Sequence, residues 1–98
     1  MIIRIVKMTF EKDKVERFLE LFNSSKHLIR NFEGCTHLEL LNSIDETNVY
    51  FTYSFWQSSI DLENYRNSEL FKTVWSKTKI LFSAKAEAWS VEQKMILV

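Results

Sequence analysis

The chain of 98 residues contains no proline, a single glycine and a single cysteine. Linkers and disordered tails are rich in glycine, proline or charge of one sign, so the sequence predicts one continuous domain over residues 1–98. Cys35 has no second cysteine with which to form a disulfide, and we interpret it as a small buried apolar residue. Gly34 follows a predicted helix, and we expect its positive φ to end that helix.

The chain also lacks an excess of either charge, with 13 basic and 13 acidic residues. Nucleic acids and anionic membranes attract clustered positive charge, so the sequence predicts neither as a partner. The apolar runs are only a few residues long, far short of the roughly 20 that a membrane helix needs. The first residues, 1–4, begin as a strand and not as a signal peptide. We therefore expect a soluble cytoplasmic protein.

The chain is rich in apolar side chains, with 46% hydrophobic and 14% aromatic residues. A domain of this size buries only about 60–65% of the surface that its unfolded chain exposes, so this content favours an oligomer. The side chains of the predicted strand Val49–Trp56 point alternately to its two faces, and both faces carry large rings. Such a strand is usually covered on both faces. Helices on one face and a second copy on the other would cover it, which predicts a homodimer.

The hydrophobic periodicity predicts four strands and two helices, the second of them broken. The strands are expected at Ile2–Phe10, Thr36–Asn42, Val49–Trp56 and Ala86–Gln93. The first helix should start at a capping box formed by Asp13 and Glu16 and end near Phe32. The second helical region should start at Ser58 or Ser59, break at Asn67-Ser68 and continue to about Phe82. This β-α-β-β-α-β order predicts a ferredoxin-like α+β fold, in which both helices cover one face of a four-stranded antiparallel sheet.

With its elements in this order, the chain resembles the antibiotic biosynthesis monooxygenase family of dimeric α+β barrel proteins. The resemblance is carried by IVKMTF at 5–10, RNFEGC at 30–35, YSFW at 53–56 with Ser58, Leu62, Tyr65, Ser68 and Phe71 after it, and AEAWSV at 86–91. It implies a homodimeric barrel that oxidises phenols, quinols or anthrone-like polyketides with molecular oxygen. It also implies that no metal, flavin or haem cofactor is needed.

Some members of that family degrade haem, with an asparagine in strand one, a tryptophan in the broken helix and a histidine in the next helix. The matching positions here hold Val6, Tyr65 and Trp75. Since the haem-ligating histidine is missing, the resemblance disfavours haem degradation for this chain. A smaller aromatic substrate is compatible with these residues.

Oxidation without a cofactor requires an apolar aromatic pocket with a few polar groups that assist deprotonation and stabilise the anion. The candidate catalytic residues are Trp56, Tyr65, Tyr53 and His37, and the candidate substrate-binding residues are Phe71, Trp75, Phe82 and Arg66. Tyr53 or Tyr65 would donate to a substrate oxygen, and Trp56 matches the family's tryptophan at the strand end. His37 shares a strand face with Glu39 and is a candidate base.

Each of these residues also has a purely structural interpretation. The rings could form the core, His37 could lie at a surface or interface, and Arg66 could pair with Glu63 or Glu69. The alternative function is a non-enzymatic small-molecule-binding or structural homodimer, and a third is an isomerase or decarboxylase. No histidine, cysteine or carboxylate set has the spacing of metal ligands, so no metal site is predicted.

Overall fold

The computed structural model describes all 98 residues, and its elements follow the predicted order. The strands are β1 Ile2–Thr9, β2 Cys35–Asn42, β3 Val49–Trp56 and β4 Glu87–Glu92. The helices are α1 Val15–Arg30, α2 Ser59–Arg66 and α3 Glu69–Lys79. One sheet contains all four strands in the order β2-β3-β1-β4, and every neighbouring pair is antiparallel. The ferredoxin-like α+β fold is confirmed. None of the helices is both long and apolar enough to cross a membrane.

Two serine caps confirm the predicted break between α2 and α3. The Ser58 hydroxyl accepts a hydrogen bond from the backbone N–H of Asp61 at the start of α2. The Ser68 hydroxyl accepts one from the backbone N–H of Phe71 at the start of α3. Each cap satisfies an amide that a new helix leaves without a partner, so the chain can stop one helix and begin another within a few residues.

The predicted capping box at the first helix is wrong. Helix α1 begins at Val15, after a single 3-10 turn at Lys12–Lys14, and no side chain hydrogen-bonds to its first amides. Asp13 lies inside that turn, so it cannot cap a helix for which Glu16 is already an internal residue. The chain enters α1 through the turn instead of through a side-chain cap.

Helix α3 ends three residues before the predicted end at Phe82, because residues 80–82 turn back to the sheet. Lys79 is the last helical residue, and the backbone of Phe82 pairs with that of Phe10 in an isolated β-bridge. Leu81 is buried in the core next to this bridge. Leu81 and Phe82 therefore continue the apolar pattern of the helix after the helix itself has ended.

The sheet has one face covered by the helices and one open face. Alternation along β3 turns Tyr50, Thr52, Ser54 and Trp56 towards the helices and Val49, Phe51, Tyr53 and Phe55 towards the open face. On the covered side, one core cluster consists of Met8, Phe10, Phe18, Tyr50 and Leu81. In it the rings of Phe10 and Phe18 stack with centroids 4.2 Å apart. This core fixes the helices on the sheet beside a second region that is not filled.

Gly34 is the only residue with positive φ, at 88°. A Cβ atom at this position would also collide with the side chain of Asp61. We expect Gly34→Ala to lower the free energy of unfolding by at least about 1–2 kcal/mol, because a left-handed backbone alone costs an L-residue that much. Urea denaturation measures the change.

The matched control is Asn31→Ala in the same turn, where φ is −91° and needs no glycine. We expect this control to change the free energy of unfolding by less than about 0.5 kcal/mol. Equal effects of the two substitutions would contradict the conformational requirement at Gly34.

Candidate active site

A cavity of about 340 Å³ lies between the helices and the covered face of the sheet. Most of its lining is hydrophobic, and the polar groups are Arg4, Thr52, Ser54, Tyr65, Arg66 and Thr78. Ligand pockets in proteins range over about 300–1,000 Å³, so this volume suits a small aromatic molecule. The few polar side chains in an apolar surround are the arrangement that orients such a ligand.

Four aromatic rings follow one another along the cavity wall. Tyr65 stacks on Trp56 with centroids 4.9 Å apart and planes inclined by 26°. The Phe71 ring meets Tyr65 edge-on at 5.2 Å and stacks with Trp75 at 5.8 Å. Phe71 and Trp75 are four residues apart on α3, so they lie on the same helix face. The end of β3, α2 and α3 therefore combine to build one aromatic wall.

Trp56 supports this wall from behind. It borders the cavity, yet its side chain is 0% exposed, because the Tyr65 ring covers it. Its indole Nε1–H donates to the Ser54 hydroxyl oxygen at 3.0 Å. With that N–H occupied and no free surface, Trp56 is placed to position Tyr65 and not to contact a ligand itself.

Tyr65 is the best-placed hydrogen-bond donor of the cavity. Burial, with a smaller contribution from nearby Cys35, raises the pKa of Tyr65 well above its ordinary value of 10.0. The chain offers its hydroxyl no hydrogen-bond partner, and every fully buried polar side-chain atom has one, so this oxygen is not fully buried. At neutral pH the phenol keeps its proton, and it can donate to an anionic oxygen but cannot act as a base.

The raised pKa of Tyr65 makes stability depend on pH in a defined direction. In the unfolded chain its pKa returns to about 10, so above this pH the unfolded state loses a proton that the folded state keeps. The contribution is fully present below pH 10 and is lost as the pH rises towards the folded pKa. We expect the free energy of unfolding to fall less steeply between pH 9 and 11 for Tyr65→Phe than for the wild type. The two slopes should differ by about the contribution of one titrating group.

Urea denaturation at several pH values measures this difference. Phe71→Leu disturbs the same ring cluster without removing a titrating group, so it should keep the wild-type slope. Parallel slopes for the wild type and Tyr65→Phe would show that burial does not hold the Tyr65 proton.

The structure divides the predicted site residues between the two faces of the sheet. Trp56, Tyr65, Phe71, Trp75 and Arg66 all border the cavity. Phe82 lies just outside the lining, edge-on to the Trp75 ring at 5.6 Å and 5.4 Å from the Phe10 ring. Phe82 is therefore part of the core that supports the wall.

Tyr53 and His37 lie on the open face, away from the cavity. Neighbouring strand residues point to opposite sides, so Tyr53 and Ser54 cannot both face the helices. The His37 ring lies 4.8 Å from that of Phe55, and its Nε2 hydrogen-bonds to the carboxylate of Glu39, as the alternation predicts. The geometry does not join these residues to the cavity, so a catalytic role for either one stays a prediction.

Arg4 is a cavity residue that the sequence interpretation missed. It lies on the inner strand β1, and its Nη1 donates to the Ser90 hydroxyl at 3.0 Å. No carboxylate lies within ion-pair distance of it. Burial, reinforced by the charge of Arg66 and opposed by Glu63, lowers the pKa of Arg4. The available signal was a charged residue between Ile2 and Val6 on the apolar side of the first strand.

Arg66 forms an ion pair and also borders the cavity. Its Nη1 lies 3.6 Å from a carboxylate oxygen of Glu63, which confirms one predicted ion pair. The same side chain borders the cavity together with Arg4. The pair with Glu63 is solvent-exposed and contributes little to stability, so it leaves the guanidinium free to interact with a ligand.

Cys35 is buried in a small cluster with Trp56 and Leu62, as expected of an apolar residue. Burial raises the pKa of its thiol, which keeps it protonated and unreactive. The structure contains no group of three histidine, cysteine, aspartate or glutamate side chains that could hold a metal ion. The polar groups of the cavity that could take part in a reaction are therefore Tyr65 and the two arginines, Arg4 and Arg66.

Comparison with known proteins agrees with this architecture. Residues 1–75, which include every cavity residue of β1, β3, α2 and the first part of α3, match the family model described as antibiotic biosynthesis monooxygenase. No curated protein matches the chain. A conserved protein from Methanosarcina mazei is 20% identical, with a TM-score of 0.89 over 96% of this chain and 94% of that one.

Two further solved structures have the same fold at lower sequence identity. An antibiotic biosynthesis monooxygenase is 12% identical, with a TM-score of 0.90 over 97% of this chain and 100% of that one. A candidate antibiotic biosynthesis monooxygenase from Nitrosomonas europaea is 16% identical, with a TM-score of 0.87 over 95% and 98% of the two chains. At such identities the likeness concerns the fold alone.

Proposed function

Since the chain belongs to the antibiotic biosynthesis monooxygenase family, we propose that it oxidises a small phenolic, quinol or polyketide-like aromatic molecule with molecular oxygen and without a cofactor. One observation carries the proposal. The cavity of about 340 Å³ is lined by stacked aromatic rings that include Tyr65, whose protonated hydroxyl has no hydrogen-bond partner within the chain. This arrangement suits an aromatic ligand that carries negative charge on oxygen.

In the proposed reaction the substrate supplies all the electrons. Its phenolate or enolate transfers one electron to O₂, and the resulting radical and superoxide combine to form a carbon–oxygen bond. The peroxide takes up a proton; the C–H bond of the same ring carbon and the O–O bond then break, which releases water and leaves a C=O group. A quinol and O₂ thus give a hydroxyquinone and H₂O, so one oxygen atom enters the ring and the other leaves as water. Four electrons leave the substrate and four reduce O₂, which requires no external reductant.

The cavity residues have distinct roles in this proposal. Tyr65 donates to the substrate oxygen anion, Phe71 and Trp75 pack against the ring, and Trp56 holds Tyr65 in place. The lining contains no histidine or carboxylate that could act as a base. A bound phenol would therefore lose its proton to water, and the positive charges of Arg4 and Arg66 favour a substrate that carries negative charge.

A second candidate function is binding without chemistry, and the open cavity supports it equally. A purely structural module is less well supported, because Trp75 and Phe82 do not fill the space between helices and sheet. An isomerase or decarboxylase would use the same anion-stabilising groups. Consumption of O₂ separates the proposed oxygenase from both of these alternatives.

The test is incorporation of labelled oxygen by chelator-treated protein. A panel of hydroquinones and anthrones is incubated under ¹⁸O₂, and each rate is compared with spontaneous autoxidation. The proposal predicts one labelled atom in the product and a rate above autoxidation for at least one compound. Binding of panel members without uptake of O₂ would favour a sensor, and product without label would favour an isomerase or decarboxylase.

We also propose that the open face of the sheet is the interface of a homodimer. It carries the half-buried rings of Phe51, Tyr53 and Phe55, and Trp89 and Val91 are 45% and 44% exposed. Large apolar side chains that are grouped on one partly exposed surface are typical of an interaction site. A second copy is favoured because the chain has no net charge to repel it and an identical sheet presents a complementary flat face.

We expect the wild type to sediment as a dimer at micromolar concentration and Phe55→Asp to sediment as a monomer. The new carboxylate would lie on an inner strand of the open face, where burying an unpaired charge in the interface is costly. Ile44→Asp is the matched control, because Ile44 is 95% exposed in the loop before β3 and should leave the dimer intact. Circular dichroism verifies that both variants fold. A wild type of 11.7 kDa in solution would contradict the proposed interface.

A further inference from the structure

The cavity is bordered by two guanidinium groups that share a single acidic neighbour. Arg4 and Arg66 both border it, and the charge of Arg66 contributes to the lowered pKa of Arg4. Their one acidic neighbour is Glu63, which lies 3.6 Å from Arg66 on the exposed side of α2. Two positive charges face one negative charge, which leaves this end of the cavity positive.

Arg4 places a positive charge on the face of the sheet that the helices cover, where charged side chains are unusual. It points from an inner strand towards the helices, between Ser54 on β3 and Ser90 on β4. A guanidinium has five N–H donors, but the only hydrogen bond of Arg4 within the chain goes to the Ser90 hydroxyl. The remaining donors of this half-buried side chain have no partner in the chain, so they are open to solvent or to a ligand.

We infer that the substrate is an aromatic acid whose carboxylate is held by Arg4 and Arg66 while its ring lies against Phe71 and Trp75. The inference rests on the proposed function, since it takes the cavity as the place where the ring binds. A planar carboxylate matches the fork of a guanidinium and can accept two N–H bonds from it. Tyr65, which stacks on Trp56 and meets Phe71 edge-on, remains available for the phenolic oxygen.

A structural role for Arg4 is the competing explanation. Its bond to Ser90 joins β1 to the edge strand β4. Ser90→Ala removes this bond but keeps the charge, whereas Arg4→Gln removes the charge. If Arg4 serves only to hold β4, the two variants should behave alike in stability and in binding.

The experiment measures the affinities of two matched quinols by isothermal titration calorimetry. One probe is 2,5-dihydroxybenzoate and the other is its methyl ester, which has no charge. We expect the acid to bind the wild-type protein at least about tenfold more tightly than the ester. Arg4→Gln should abolish this preference, Arg4→Lys should retain part of it, and Ser90→Ala should retain most of it.

Glu63→Gln gives a test in the opposite direction. Removing the one acidic neighbour of Arg66 should raise the affinity for the acid several-fold and leave that for the ester unchanged. Equal affinities for acid and ester, loss of both probes alike in Arg4→Gln, or failure of the acid to bind at millimolar concentration would each overturn the inference.

Oxygen uptake separates this inference from the proposed function. Uptake that is equally fast with the acid and the ester would refute the carboxylate site and leave the oxygenase intact. Selective binding of the acid to a protein that consumes no O₂ with any panel compound would refute the oxygenase and leave the carboxylate site intact.

Discussion

Replacing Trp56 by alanine is expected to lower the free energy of unfolding by about 3–5 kcal/mol, the range for large aromatic residues in a packed core. The side chain is 0% exposed, and its ring lies 4.9 Å from Tyr65 and 6.4 Å from Phe32. Its removal would leave a hole behind the aromatic wall and free the Ser54 hydroxyl. The substrate cavity next to it offers no atoms that could fill this hole.

Urea denaturation followed by circular dichroism measures the loss. Ile60→Ala is the control, because Ile60 is 71% exposed on α2 and should change the free energy of unfolding by no more than about 0.5 kcal/mol. A Trp56→Ala variant as stable as Ile60→Ala would mean that Trp56 does not support the wall. In that case its role would be contact with a ligand, as its match to the family first suggested.

Tyr65→Phe is expected to reduce the rate of oxygen uptake by about 100-fold, the loss typical of removing one donor to a developing oxyanion. The phenylalanine ring keeps the stack on Trp56 and the edge contact with Phe71. The hydroxyl has no partner within the protein, so its removal breaks no internal hydrogen bond. Stability at neutral pH should therefore hardly change, in contrast to Trp56→Ala.

The Tyr53→Phe variant decides between the two predicted donors. Tyr53 lies on the open face, 6.3 Å from the His37 ring, so the geometry predicts that its hydroxyl does not reach the substrate in the cavity. A 100-fold loss in Tyr53→Phe with a normal rate in Tyr65→Phe would move the chemistry to the open face. That result would also restore His37 as the candidate base.

The features that the sequence predicted well depend on local interactions. Ser58 and Ser68 sit directly before their helices, and the side chain of each reaches an amide three residues ahead. Gly34 needs its positive φ because of the turn in which it lies. The alternation of β3 follows from strand geometry, which also fixes Trp56 on the covered face.

The features that the sequence missed depend on contacts between distant segments. Arg4 faces the cavity beside Ser90, which is 86 positions away, and only the pairing of β1 with β4 brings the two together. Tyr53 and Trp56 were both proposed as catalytic residues, and the pleat of β3 places their side chains on opposite faces of the sheet. The end of α3 was misplaced because Leu81 and Phe82 pack into the core from outside the helix.

The most direct measurement is oxygen uptake after the cavity has been filled. Val74 lines the cavity from α3, so Val74→Phe places a ring where the substrate ring is proposed to bind. Ile80→Phe adds the same bulk next to the end of α3, at a residue that is 70% exposed. With the hydroquinone that is oxidised fastest, we expect Val74→Phe to fall to the autoxidation rate and Ile80→Phe to match the wild type. A folded Val74→Phe variant that consumes oxygen at the wild-type rate would contradict the location of the site.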